Sequence, residues 1–266
     1  MSEPSLFDVL SAAEAQDDCL SYPIPKNWKQ GRTTFGGFSS ALMLSTVYNR
    51  HADLPPLRSA LVNFTAPIID APQVRTEILR EGRNVTTINA LAEIGGSVAA
   101  QATFSFGRAQ DSHVAFDCPA KPADSPEMTE YYFSPDLPRP PIPFLTNFDV
   151  RKVEGELPFM GADRGYLRLW ARHNDPRMWN RTEGLISIAD LPPPAIYPTL
   201  KKPGPNSSMN WIFNVLSEDF QTRDGWFLLE HQLTAGRDGY SSQVMRVWNT
   251  EGDLIVDGMQ SVIIFV

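Results

Sequence analysis

The hydrophobic pattern of the first part of the chain predicts one helix followed by four strands. Residues 38–48 are mainly small and apolar and carry no charge, which is typical of a buried helix. Residues 59–68 then alternate, with Ala60, Val62 and Phe64 on one face, as in a half-buried strand. Three more strand candidates follow, separated by Gly- and Asn-containing turns, at residues 73–81, 85–94 and 97–106.

The second part of the chain repeats this order of elements. A strand is predicted at 165–172, a helix from about 190 to 200, and another strand at 207–216. The last three strand candidates are residues 226–235, 240–249 and 254–266. Their turns are predicted at Gly236-Arg237-Asp238 and Glu251-Gly252-Asp253. The simplest architecture is a duplicated α+β fold with two antiparallel sheets, each packed on a central helix and joined into one continuous sheet.

Proline clusters between the two repeats. Eight of the 23 prolines lie between residues 119 and 143, where they prevent a long helix or a central strand. We therefore predict an N-terminal repeat at 1–107, a proline-rich linker at 108–149 and a C-terminal repeat at 150–266.

Composition narrows the functional classes. With 266 residues, of which 42% are hydrophobic, the chain can bury a sizeable core. A net charge of -8 argues against binding to a nucleic-acid backbone as the main role. No apolar stretch reaches the roughly 18 residues of a membrane span, and residues 1–4 lack the pattern of a signal peptide. Since Cys19 and Cys118 also form no zinc or disulfide pattern, we expect a cytoplasmic protein.

Two segments at opposite ends of the chain resemble acyl-CoA thioesterases of the bacterial thioesterase II type. The first segment precedes the apolar helix and reads Gly31-Arg32-Thr33-Thr34-Phe35-Gly36-Gly37. The second resembles the last hairpin of that family and runs from Trp248 to Gln260. The resemblance covers about residues 20–107 and 150–266. It implies the double hotdog fold, in which a long helix is wrapped by an antiparallel sheet and the unit is duplicated.

The same resemblance implies a water held by a carboxylate, a hydroxyl and a glutamine. By position these are Asp190, Ser208 and Gln260. The family usually has threonine in place of Ser208, although either hydroxyl can hold a water. Asp190 is expected at the start of the second helix, just before the prolines at 192–194.

These residues suit thioester hydrolysis by direct water attack. Asp190 would take the proton, Ser208 and Gln260 would hold the water, and no covalent intermediate, metal or organic cofactor is expected. The oxyanion would meet backbone N–H groups at a helix start, where Gly36 and Gly37 permit close approach. A simpler alternative is that Asp190 only caps a helix and that the two glycines only form a turn.

The resulting hypothesis is an acyl-CoA thioesterase that releases a free acid and coenzyme A. The substrate carrier is coenzyme A or acyl carrier protein, and Arg32, Arg58 and Arg83 are candidate partners for its phosphates. Assembly into a homo-oligomer stays open, because hotdog sheets often pair edge to edge.

Two alternative functions remain. The first is a non-catalytic hotdog protein that binds an acyl thioester or serves as an assembly subunit. The second is enoyl-thioester hydration, which in related families uses an Asp and His pair. It ranks last, because the histidine that follows Asp190 most closely is His231, predicted on a later strand. Serine-hydrolase, zincin and nucleotide-binding motifs are absent from the sequence.

Overall fold

The structure is a computed structural model that describes residues 3–114, 116, 130–132 and 142–266. Cys118 and the predicted linker prolines other than Pro143 lie outside these residues. Three α-helices are present in the described ranges: α1 (Leu6–Ser11), α2 (Gly36–Arg50) and α3 (Thr182–Ala189). Within the same ranges, no helix is long and apolar enough to cross a membrane.

Fifteen strands are found in the part of the chain that the structure describes. Those of the N-terminal half are β1 (Glu14–Gln16), β2 (Cys19–Ser21), β3 (Lys29–Gln30), β4 (Thr33–Thr34), β5 (Leu57–Phe64), β6 (Gln73–Glu81), β7 (Val85–Ile94) and β8 (Ser97–Gly107). The later strands are β9 (Glu130–Tyr131), β10 (Phe148–Gly155), β11 (Tyr166–His173), β12 (Asn206–Val215), β13 (Phe227–Arg237), β14 (Tyr240–Trp248) and β15 (Leu254–Ile264).

Thirteen of these strands form one continuous antiparallel sheet. Their order is β1-β2-β6-β7-β8-β5-β12-β15-β14-β13-β11-β10-β9, while β3 and β4 form a separate pair. The two halves join where β5 pairs with β12, with Ala60 opposite Phe213. The predicted α+β double hotdog, with its two sheets joined into one, is therefore confirmed.

The strands predicted from the hydrophobic pattern are confirmed with small shifts of their ends. β6 and β7 have the predicted bounds, and the turn at Gly95-Gly96 adopts the positive φ for which glycine is suited. The turn predicted at 236–238 instead lies at Asp238 and Gly239, which have φ of 54° and 80°. Gly236 and Arg237 continue β13 as far as this turn.

The two central helices pack against each other in antiparallel directions. The start of α2 contacts the end of α3, because a Cβ atom placed on Gly37 would lie 2.3 Å from the carbonyl oxygen of Ser187. At the other end of the pair, the Tyr48 hydroxyl is hydrogen-bonded to Thr182. Residues 37–47 of α2 are all buried, as expected from their uncharged sequence.

The predicted position of the second helix is wrong. We expected a helix from about 190 to 200, with Asp190 at its start, but α3 ends at Ala189 and Asp190 is its C-cap residue. Residues 190–200 contain only a short 3₁₀ turn, Tyr197–Thr199. The physical reason is the proline run at 192–194, because proline lacks an N–H and stops a helix that precedes it.

Several short elements were not predicted. These include α1, which a capping box between Ser5 and Asp8 stabilises, and β10, which pairs with β11. β10 begins at Phe148, one residue before the predicted end of the linker. The division of the chain at 107/108 and 149/150 stays a prediction.

Aromatic side chains fix the segment that leads into α2. Phe35, the N-cap residue of α2, stacks on Phe144 with ring centroids 4.1 Å apart. Its backbone N–H donates to the carbonyl of Trp28 over 3.0 Å, and the Trp28 ring stacks on Phe38. The first turn of α2 is therefore held on both sides by buried rings.

Candidate active site

The carboxylate of Asp190 lies between the end of α3 and the start of α2. Its Oδ1 accepts a hydrogen bond of 2.9 Å from Nε2 of Gln260, and the backbone N–H of Gly37 donates to the same carboxylate. Asp190 reaches this position because α3 ends immediately before it and the prolines turn the chain away. The residue keeps partial exposure to solvent although its surroundings are packed.

Gln260 connects the carboxylate to a hydroxyl. Its Nε2 also lies 3.1 Å from Oγ of Ser208, which stands on β12 just before a bulge in the pairing with β15. Gln260 itself is only 4% exposed, and its Oε1 accepts a hydrogen bond of 2.8 Å from Nε2 of Gln243. The structure thus brings Asp190, Ser208 and Gln260 together around one amide nitrogen.

The pKa of Asp190 is shifted towards neutral pH. Burial raises the pKa of Asp190 from 3.8 to about 7, because the packed site solvates a negative charge poorly. The hydrogen bonds from Gln260 and from the Gly37 N–H favour the charged form and limit this increase in pKa. A carboxyl group with a pKa near 7 suits exchange of a proton with water at physiological pH.

The start of α2 supplies backbone donors beside this carboxylate. Phe35 caps the helix without a side-chain hydrogen bond, and the first N–H groups of a helix have no intrahelical acceptor. A Cβ atom on Gly36 would lie 2.6 Å from Oδ2 of Asp190, so glycine is what allows the carboxylate to come so close. The positive end of the helix dipole therefore faces Asp190.

The sequence predicted this site only in part. Asp190, Ser208, Gln260, Gly36 and Gly37 lie together, although sequence reasoning placed Asp190 at the wrong end of its helix. Gln243 was missed. A signal for it exists in β14, where the period of two places polar Ser241 and Gln243 on the same face as apolar Met245 and Val247.

The other candidates lie apart from these contacts. His231 is buried on β13, and its ring contacts Gln243 and the backbone of Pro193 and Ala189 rather than the Asp190 carboxylate. Arg58 pairs with Glu218, whereas Arg32 and Arg83 are exposed. No group of three or more potential ligand residues among those described is placed to hold a metal ion.

Family models match both halves of the chain. The acyl-CoA thioesterase N-terminal domain matches residues 24–107, and the acyl-CoA thioesterase C-terminal domain matches residues 117–264. Among proteins with curated descriptions, none matches the sequence significantly.

Solved structures with the same fold extend over almost the whole chain. A hot dog fold protein of unknown function from Alicyclobacillus acidocaldarius has a TM-score of 0.86 at 21% identity, covering 99% of each chain. Acyl-CoA thioesterase II TesB2 from Mycobacterium marinum has a TM-score of 0.75 at 17% identity, covering 98% of each chain. A tesB protein from Mycobacterium avium subspecies paratuberculosis has a TM-score of 0.77 at 17% identity, with 98% of this chain and 100% of that chain covered.

Proposed function

Because the chain belongs to the acyl-CoA thioesterase family, we propose that it hydrolyses an acyl-CoA thioester to a free acid and coenzyme A, with Asp190 as general base. The observation that carries this proposal is the convergence of Asp190 and Ser208 on Nε2 of Gln260, at 2.9 Å and 3.1 Å. A carboxylate and a hydroxyl that are both hydrogen-bonded to one amide are the kind of groups that orient a bound water.

The water would lie between the carboxylate of Asp190 and the hydroxyl of Ser208. Gln260 is hydrogen-bonded to both of these groups through its Nε2. Its role is therefore to fix the separation of the carboxylate and the hydroxyl, and it takes no part in the proton transfer. Asp190 takes a proton from the water while the water oxygen attacks the thioester carbonyl carbon. The carbon–oxygen bond that forms makes a tetrahedral oxyanion.

The first turn of α2 would stabilise that oxyanion. Its backbone N–H groups lack intrahelical acceptors, and the helix dipole favours negative charge at this end. The Gly37 N–H already donates to Asp190, so we assign the oxyanion contact chiefly to the neighbouring N–H of Gly36. Collapse of the tetrahedral species breaks the carbon–sulfur bond, and the proton held by Asp190 passes to the departing coenzyme A thiolate.

Thiol release from a chain-length panel of acyl-CoAs tests the proposed reaction. The full chain is incubated with each acyl-CoA, and free thiol is followed with a chromogenic disulfide, with acyl carrier protein thioesters as a second set. We expect turnover of at least one acyl-CoA. Tight binding without thiol release across both sets would instead identify a binding or assembly protein. Loss of enoyl absorbance without thiol release would identify a hydratase.

A further inference from the structure

Behind Gln260 lies a second buried amide, Gln243, which the proposed reaction does not use. Gln243 on β14 stands directly opposite Gln260 on β15 in the strand pairing and is 1% exposed. Its Nε2 donates to Oε1 of Gln260 over 2.8 Å. Since buried amides need partners for all their polar atoms, the remaining contacts of Gln243 determine how both amides are oriented.

The orientation of Gln243 is fixed by a backbone group. The N–H of Ala195 donates to Oε1 of Gln243 over 2.6 Å, and a backbone N–H can only donate. The oxygen of Gln243 must therefore face Ala195, which leaves its Nε2 to face Gln260. Because the oxygen of Gln260 accepts this hydrogen bond from Gln243, the Nε2 of Gln260 must face Asp190 and Ser208.

The same contacts hold the turn that carries Asp190. Ala195 lies five residues after Asp190, beyond the proline run, and its N–H is the point at which Gln243 holds this segment. The buried ring of His231 lies beside Gln243, with Nδ1 3.2 Å from Nε2 of Gln243 and 3.3 Å from the carbonyl oxygen of Pro193. Burial lowers the pKa of His231 to about 4, so the ring places no positive charge behind Gln260.

We propose that Gln243 is a positioning residue, which sets the orientation of the Gln260 side-chain amide so that its N–H group, and not its C=O group, faces Asp190. This inference rests on the proposed function, because the orientation matters for a carboxylate that must take a proton from water. Once Asp190 has taken that proton, the neutral carboxyl accepts a weaker hydrogen bond from the Gln260 N–H than the carboxylate did. From then on, the hydrogen bond from Gln243 prevents the side-chain amide of Gln260 from flipping.

The sharpest variant is Gln243→Glu, which has nearly the same shape. A carboxylate at 243 still accepts from the Ala195 N–H, so the turn stays held, but it offers no donor to Gln260. The Gln260 amide is then drawn towards residue 243, and its oxygen turns towards Asp190. Gln243→Met removes the same donor without adding charge. The matched control is Gln101→Glu, because Gln101 of the N-terminal half likewise donates to an amide oxygen, that of Asn89, over 3.0 Å.

Two measurements on these full-length variants test the proposal. The first is kcat and KM for thiol release from the acyl-CoA that the wild type turns over fastest. We expect kcat to fall at least tenfold in Gln243→Glu and severalfold in Gln243→Met, with KM changed less than threefold, and no change in Gln101→Glu. The second is the titration of Asp190 without substrate, followed by carbon NMR of aspartate labelled at the carboxyl carbon and assigned with Asp190→Asn. We expect both Gln243 variants to raise the midpoint, and Gln101→Glu to leave it unchanged.

The two measurements separate failure of this inference from failure of the proposed function. If the wild type releases no thiol from any substrate, the proposed function fails, and the titration still decides whether Gln243 orients the Gln260 amide. If Gln243→Glu and Gln243→Met are folded and both titrate and turn over like the wild type, the role of Gln243 is refuted. A Gln243 variant that lowers only the melting temperature, with Asp190 titration and kcat unchanged, likewise leaves Gln243 as a structural residue alone.

Discussion

Gly36 and Asp190 approach so closely that a single methyl group would fill the space between them. A Cβ atom at position 36 would lie 2.6 Å from Oδ2 of Asp190. At position 37 the nearest atom is instead the backbone carbonyl oxygen of Ser187, at 2.3 Å. A short carboxylate side chain can rotate away from a methyl group, whereas a helix backbone cannot. The two adjacent glycines therefore have different physical roles.

This difference predicts opposite outcomes for two neighbouring substitutions. Gly36→Ala displaces the Asp190 carboxylate, so we expect kcat/KM for thiol release to fall about 10- to 100-fold, with the unfolding free energy changed by less than about 1 kcal/mol. Gly37→Ala forces the two helices apart, so we expect a loss of about 1–3 kcal/mol of unfolding free energy. Denaturant unfolding and thiol release are measured on both variants. Full activity in Gly36→Ala would show that the approach of Gly36 to Asp190 does not matter for the reaction.

A second prediction concerns the hydroxyl of Ser208. Ser208→Ala removes one of the groups proposed to hold the water, so we expect kcat/KM to fall about tenfold, the equivalent of one hydrogen bond. Ser208→Thr keeps a hydroxyl and should retain most of the activity. Ser207→Ala is the matched control, because Ser207 is the adjacent residue on β12 and its Oγ donates to the carbonyl of Ser208. Equal losses at 207 and 208 would show that the effect comes from the strand and not from the hydroxyl.

The pH dependence of the rate should report Asp190. A general base acts in its deprotonated form, so we expect kcat/KM to rise with pH and to level off above the Asp190 pKa of about 7. Gln260→Met removes an N–H that favours the carboxylate, which should move the midpoint to higher pH and lower the plateau. His231 titrates far below this range, since its pKa is about 4. A rate profile that is flat between about pH 5 and 8 would exclude Asp190 as the titrating base.

The raised pKa of Asp190 also predicts how stability changes with pH. The folded carboxyl keeps its proton up to about pH 7, whereas the unfolded chain releases it near pH 3.8, so the folded state binds more protons in that window. Relative to Asp190→Asn, the wild type should therefore lose unfolding free energy as pH rises from 4 to 7 and change no further above that. The expected loss is about 2–4 kcal/mol, from about 1.4 kcal/mol per pH unit. An equal difference in unfolding free energy between the wild type and Asp190→Asn at pH 4 and at pH 8 would contradict this prediction.

The sequence was most informative where local pattern and tertiary structure agree. β6 and β7 alternate in polarity and are bounded by turn residues, and both were predicted to the residue. The buried helix α2 was also found, because eleven consecutive uncharged, mainly small and apolar residues have few other stable environments.

The second helix shows where local pattern was insufficient. Residues 185–189 are apolar enough for a helix or a buried strand, and the prolines at 192–194 suit either a helix start or the residues beyond a helix end. Which of these applies depends on packing of α3 against α2, a contact between residues about 150 positions apart. Gln243 was missed partly for a similar reason, because its contact with the N–H of Ala195 joins residues 48 positions apart. Its other partner, Gln260, lies opposite it in the β14–β15 hairpin.

The most direct test of the whole account compares thiol release by the wild type and Asp190→Asn. The substitution keeps the shape of the side chain but removes the base, so we expect kcat to fall about 10²- to 10⁴-fold. The control is Asp257→Asn, because Asp257 lies at a half-buried position of β15 and pairs with Arg246 rather than with the site. Circular dichroism confirms folding of each variant. We expect loss of activity in Asp190→Asn alone, and comparable turnover by a folded Asp190→Asn protein would exclude Asp190 as the general base.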